Sequence, residues 1–295
     1  MAINTHDGNL SAFLENLAAP LVERILRRSI AAQMSTPLKT LDNGITIPIV
    51  DSDATATWTA EGAEIVQSAP NLRSLKVKTG KLAGIVPITG EAIRSRRLDL
   101  LQIASRSLVR DMSSKLDAAF FGDVADPAPD GIGSLGGDVV TVQAESGDNL
   151  DALIDAVTIL MDLGHDATDV AMAPGTLGRL AKVKKGTGSN ESLLGPDATL
   201  GGVLDADQLD GTNAGRAVLG LAPRVSRHVP EGQFVVVDRG QVYTALTGEP
   251  VLDTSEHAQF TKDTVLIRAL QSAGFGFPHA DALVKVALPP VTPEG

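Results

Sequence analysis

The sequence predicts an α+β fold, and three observations carry that prediction. Between Leu98 and Phe121 apolar residues recur every three or four positions, the spacing of one long amphipathic helix. From Gly44 to Ile88 the period falls to two, the signature of strands with one covered face. From Phe260 to Ala287 the period of two returns, so strands and the long helix occupy separate stretches and not a single regular alternation.

From Asn9 to Met34 the pattern is helical, with Leu10, Phe13, Leu14, Leu17, Leu21, Ile25 and Leu26 on one side and a break or kink at Pro20. Arg24, Arg27 and Arg28 gather on its second piece, either as a solvated helix face or as an anion-facing patch. Next, Ile45, Ile47 and Ile49 alternate with polar or Pro positions, and Ala54, Ala56, Trp58 and Ala60 alternate with threonines. After the turn-rich section Glu61 to Asn71, a return limb runs through Leu75, Val77, Leu82, Ile85 and Ile88, giving one long hairpin with Pro48 marking an edge. Limbs of about fifteen residues would reach roughly 50 Å, and a two-stranded ribbon is marginally stable alone. The hairpin's apolar face therefore needs a partner, on its own chain or on a neighbour.

The long helix, roughly 36 Å of rod, carries Leu101, Ala104, Leu108, Met112, Leu116 and Ala119 as its buried stripe and Gln102, Arg106, Arg110, Ser113 and Asp117 between them. Asp99 suits its first turn, and Gly122 suits a left-handed end. A Pro- and Gly-rich loop follows, then a short strand at Val139 to Val142. Asn149 to Leu163 reads as a helix through Leu150, Leu153, Ile154, Val157 and Met161, with Asp148 as cap and Gly164 as stop. Ala167 to Ala173 reads as a strand, Pro174 to Lys185 as a helix with Pro at its first position, and Gly186 to Gly215 as exposed loop. Strands dominate from Ala217 to Leu252, notably Phe234 to Val237 and Val242 to Leu246, so Asp148 to Leu252 reads as an α/β subdomain. In the closing section Arg268 shares a strand face with Thr264, Leu266 and Leu270, which predicts a buried or paired arginine; the end, VTPEG, reads as a loose tail.

Composition narrows the function classes. The chain has 295 residues, 43% hydrophobic but 3% aromatic, so its core is Ala, Val, Leu and Ile and base-stacking platforms are scarce. A formal charge of -11 argues against tight nucleic-acid or anionic-membrane binding by the chain as a whole, leaving only a local basic patch. With no Cys there are no disulfides, thiolate metal sites or cysteine nucleophiles. The N-terminus has no secretory signal pattern and no stretch is long and apolar enough to span a membrane, so the expectation is a soluble cytoplasmic protein.

No catalytic constellation emerges. Gly131, Gly133 and Gly136 satisfy G-x-G-x-x-G, yet they follow a helix and precede a strand, the reverse of a dinucleotide site. The run Gly186, Gly188, Ser189 lacks the Lys of a phosphate loop. His6, His165, His228, His257 and His279 form no i, i+4 pair, and Asp205, Asp207 and Asp210 miss the spacing of a calcium loop. Asp51 and Asp53 need no metal, and Asn190 to Ser192 is a glycosylation sequon without a secretory route. Neither catalytic, cofactor nor metal residues are assigned.

The ordered set TATWTAEGAEI, LKVKTGKLAGIVPITGEAI, LDAAFFGD, PDGI and FTKDTVLIRALQSAGFGFPHADALVKV resembles the major capsid proteins of tailed double-stranded DNA bacteriophages, the Hong Kong 97-type fold, over about Gly44 to Val286. The resemblance implies an N-terminal arm at 1–43, an extended hairpin loop at 44–88, a peripheral domain with a spine helix at 89–147 and 256–289, an axial domain at 148–255 and a tail at 290–295. It implies a structural protein, not an enzyme, that assembles with itself as pentamers and hexamers into an icosahedral shell around double-stranded DNA. The implied location is the virion capsid, assembled in the bacterial host cytoplasm. The alternative is an encapsulin-type nanocompartment shell. Further implied partners are a separate scaffolding protein, because only a short arm precedes the hairpin, a portal and, as an option, decoration proteins. DNA would be held without sequence-specific contact, and no membrane or cofactor is involved. Trp58, Glu61, Leu75, Lys76, Val77 and Lys78 are the expected subunit-interface residues, with Arg24, Arg27 and Arg28 a candidate inner-face basic patch. Lys76, Lys78 and Lys81 lie in the loop that some relatives crosslink, yet no acceptor is identified and no crosslinking is expected.

Overall fold

The computed structural model describes residues 21–40, 45–91, 98–146, 149–184, 218–259 and 262–290. The expected features at Pro20, Asp148, the loop 186–215 with its acidic turn and sequon, and the terminal tail lie outside those residues. The described residues begin with α1 (Leu21–Arg28) and the short α2 (Ile30–Gln33), broken at Ser29, whose side chain caps α2. Strand β1 (Thr36–Thr40) then pairs in parallel with β9 (Tyr243–Gln259). The expected arm thus ends as a sheet edge, which a five-residue stretch containing Pro37 does not advertise.

The predicted hairpin is divided. β2 (Ile45–Ser52) and β3 (Asn71–Val77) pair antiparallel with Ile45 opposite Val77. Residues 53–70 between them are exposed and outside any strand, so the Ala/Thr alternation there forms no ladder. Alternation alone does not make a strand. The return limb also changes partner. β4 (Thr79–Thr89) leaves the ribbon and pairs with β10 (Thr264–Gly276), Thr79 opposite Gly274 and Thr89 opposite Thr264. A four-stranded sheet results, in the order β1, β9, β10, β4.

Over this sheet lies α3 (Leu98–Phe121). Ala104, Leu108, Met112, Leu116 and Ala119 are buried as the spacing predicts, and Arg106 and Arg110 are exposed. Ser113 and Asp117, expected on the polar side, are buried. The cause is a second layer: α1 and α2 pack beside α3 and cover the flank that a one-stripe reading leaves to water. At the helix end Phe120 is fully buried with ring centroids 5.0 Å from Phe121 and 5.0 Å from Phe275. These phenylalanine rings are core filler. Gly122 does not take a left-handed conformation. A Cβ on Gly131 would fall 1.9 Å from the Ala119 carbonyl oxygen, so the following loop lies directly on the end of the helix.

The second sheet has five strands in the order β5 (Val140–Gln143), β11 (Leu283–Ala287), β8 (Gln233–Val237), β6 (Asp169–Met172), β7 (Ala222–Val225). Both α4 (Asp151–Asp162) and α5 (Pro174–Ala181) share one core cluster with one face of this sheet. Val235, Val237 and Leu283 face the other way, into the core of α3. Sheet membership differs from the sequence reading at three places: β5 and β11 join this sheet and not the one under α3, whereas β9 runs on to Gln259 along β10. Strands distant in sequence choose partners by facing residues, which local periodicity does not encode. In α4 the buried face is Ala152, Leu153, Ala156 and Leu160, leaving Ile154 and Met161 exposed. Gly164 does stop that helix at φ 84°, and Pro174 does open α5. Arg268 is paired, with Asp253 across the sheet.

Candidate functional site

The feature that departs from a self-contained fold is the hairpin, and its root is built to hold it out. Ile47 and Val77 are buried against Ala245, with Leu38, Ile45, Leu75 and Tyr243 packed around them. Two glycines of β10 form the seat: a Cβ on Gly274 would meet the Lys78 carbonyl oxygen at 2.4 Å, and one on Gly276 would meet Ile47 at 2.9 Å. Arg73 donates to the Pro278 carbonyl oxygen at 3.0 Å and pairs with Asp51 at 3.2 Å. Where β3 gives way to β4, Lys78 bridges Asp126 at 2.8 Å and Asp130 at 3.3 Å on the loop after α3. Those two carboxylates, Asp126 foremost, hold the Lys78 ammonium pKa above its ordinary value.

Beyond the root the chemistry reverses. Trp58 is 106% exposed, Ile65 76% and Val66 69%, and Leu72 and Val50 are exposed on the strands below. Large apolar side chains exposed together on a projecting ribbon make it a candidate interaction surface. Burying Ile65 and Val66 would contribute about 1.5–3 kcal/mol each, less the cost of ordering the segment.

The expected interface residues divide accordingly. Trp58, Glu61 and Lys76 are exposed and available. Val77, at 3% exposure, is packed within its own chain, and Leu75 is half-buried against the same cluster. The physical reason is that the ribbon's root, not a neighbour, covers this end of its apolar face. Lys78 is engaged by Asp126 and Asp130. Ile65, Val66 and Leu72, not singled out from the sequence, are exposed apolar residues of the same ribbon.

Arg24, Arg27 and Arg28 are exposed on α1, with Arg27 ion-paired to Glu23. Nearby on α3, Ser114 Oγ lies 2.9 Å from His228 Nε2 and accepts from Arg227 at 3.0 Å. Burial lowers the His228 pKa, with Arg227 and Lys115 adding to the effect and Asp117 opposing it. Asp117 itself accepts from Ser29 Oγ at 2.6 Å and from the Ala31 amide at 3.0 Å. The glycines of the G-x-G-x-x-G string have structural tasks: Gly131 and Gly133 abut the backbone of Ala119 to Asp123, and Gly136 sits at φ 57°. Among the described residues no group of three or more His, Asp or Glu is placed to hold a metal, and no helix is long and apolar enough to cross a membrane.

The phage capsid family model matches residues 13–288. This chain belongs to the phage capsid family. Solved structures agree on the fold: the capsid of an empty GTA particle superposes with a TM-score of 0.71 at 15% identity, covering 90% of each chain. The Microbacterium phage Oxtober96 structure gives 0.66 at 17%, covering 88% of this chain and 91% of that one. The Mycobacterium phage Adephagia structure gives 0.66 at 14%, covering 90% and 91%. No curated protein matches. The fold is the Hong Kong 97-type capsid fold, and the protein is a structural major capsid protein that self-assembles into an icosahedral virion shell. The encapsulin alternative is not favoured.

Proposed function

We propose that this capsid protein closes its shell through the hairpin tip, residues 53–70, laid on an adjacent subunit of a pentamer or hexamer. The observation that carries the reading is the exposure of Trp58, Ile65 and Val66 on a tip whose root is fixed by Gly274, Gly276 and Arg73. Glu61 and Lys76 form the polar margin of that contact. The four-stranded sheet with α3 acts as the peripheral body, and the five-stranded sheet with α4 and α5 as the axial one. The shell encloses double-stranded DNA held without sequence-specific contact and is put together in the host cytoplasm with a separate scaffolding protein and a portal, decoration proteins being optional. The subunit carries out no catalysis and forms no crosslinks.

The test is replacement of residues 53–70 by Asn-Gly, a turn that closes two antiparallel strands, followed by electron microscopy with and without the scaffolding protein. The expected result is a subunit with unaltered circular dichroism that forms no shells. Normal shells from the shortened protein would overturn the hairpin's role.

A further inference from the structure

Although the chain is acidic overall, its positive charge is not evenly spread. α1 packs against α3, and the two helices share one core with the four-stranded sheet through Ile25, Leu108, Met112 and Leu116. Because the two helices pack side by side, their exposed residues lie on adjoining surface. On α1 these include Arg24, Arg27 and Arg28; on α3 they are Ile103, Arg106, Ser107, Arg110, Asp111 and Lys115. Arg227 extends the surface, since its guanidinium donates to Ser114 on the same stripe of α3. Seven exposed cationic side chains thus stand on these adjoining elements with two exposed carboxylates, Glu23 and Asp111, among the described residues, in a chain of net charge -11.

We infer that this face, Arg24, Arg27, Arg28, Arg106, Arg110, Lys115 and Arg227, binds the phosphate backbone of duplex nucleic acid. The inference rests on the shell reading for its biological setting and deepens it by naming the surface turned to the packaged duplex. Two features select a phosphate backbone over an acidic protein. Among the described residues of α1 and α3, Ile103 is the sole large apolar side chain that is exposed, so the face lacks the buried anchors on which protein partners depend. Six of the seven cations are arginines, whose planar fork suits phosphate oxygens. The chain's aromatic poverty fits the same partner, because phosphate contacts carry affinity without reading bases. The Glu23 pair does not cancel Arg27, since both groups are more than half exposed and such pairs are weak.

The experiment titrates unassembled subunits with a fluorescein-labelled duplex of random sequence, by anisotropy, between about 50 and 200 mM salt. The six-fold variant R24Q/R27Q/R28Q/R106Q/R110Q/R227Q is compared with the unaltered chain. The two triple variants, R24Q/R27Q/R28Q and R106Q/R110Q/R227Q, serve as a second measurement should the six-fold variant fold poorly. The salt slope is expected to shrink by about 0.9 for each phosphate contact removed, with affinity falling equally for unrelated sequences. An unchanged slope in variants with native circular dichroism overturns the inference, as does tighter binding of poly-glutamate than of duplex. Shells are scored by microscopy on the same preparations: shells with an unchanged slope overturn the inference alone, and a reduced slope supports it with or without shells.

Discussion

Asp117 offers the sharpest test of how the N-terminal segment is fastened to the body. Its carboxylate is 7% exposed and accepts from Ser29 and Ala31 across a separation of up to 88 residues. Burial is the largest influence on it and raises its pKa; hydrogen bonds from Ser29, Ala31 and Ile30, and the nearby His228, pull the other way without cancelling it. Because the folded pKa lies above the unfolded one, the folded state holds the proton more tightly. The associated stability is fully present below the ordinary carboxylate pKa and is lost as pH rises through the raised value. Each unit of that elevation corresponds to about 1.4 kcal/mol. Asp117→Asn keeps an acceptor oxygen for both donors and removes the charge, so at neutral pH it should lie within about 1 kcal/mol of the unaltered subunit, or above it. Asp117→Ala strands the Ser29 hydroxyl and the Ala31 amide in a buried site, a cost of about 2–4 kcal/mol. Urea unfolding of unassembled subunits, followed by far-UV circular dichroism from pH 4 to pH 8, measures all three. The difference between unaltered protein and the Asn variant should decline with rising pH. A difference that is flat, or that grows with pH, would refute the account of Asp117 as a buried carboxylate whose charge opposes docking.

Two further outcomes follow from close contacts. Gly131→Ala places a methyl group 1.9 Å from the Ala119 carbonyl oxygen, against backbone that has no rotamer to change; the expected loss is about 3 kcal/mol, read as a lower urea midpoint with unchanged m-value. Lys78→Met removes the bridge to Asp126 and Asp130, all three groups being about half exposed or more. Thermal stability should change little, because exposed ion pairs are weak, whereas hydrogen exchange at the start of β4 should quicken in low salt and converge with the unaltered protein in high salt.

What the sequence discloses depends on how local the cause is. The long helix is legible because its stripe of Ala104, Leu108, Met112 and Leu116 repeats over many turns, and Gly164 and Pro174 punctuate the α/β region by backbone geometry alone. Sheet membership is not legible. β4 reads as a continuation of the hairpin because nothing in Lys78 or Thr79 announces that the next partner is β10. The burial of Asp117 has no local signal either, since its donors stand far away on α2. At the hairpin, Trp58 and Val77 look equivalent in sequence, yet Trp58 is exposed and Val77 is buried because Gly274 and Gly276 let the root settle on β10.

The placement of the chain's single tryptophan has a practical consequence. Trp58 stands fully in water at the hairpin tip, far from the phenylalanine core, and the one tyrosine, Tyr243, lies at the root. Indole emission from this protein therefore reports the surroundings of one side chain at the working end of the ribbon. A blue shift on mixing subunits would time the seating of tips on neighbours, without labels and without interference from folding of the body. A tip that seats on a neighbouring subunit would announce itself in the protein's own emission.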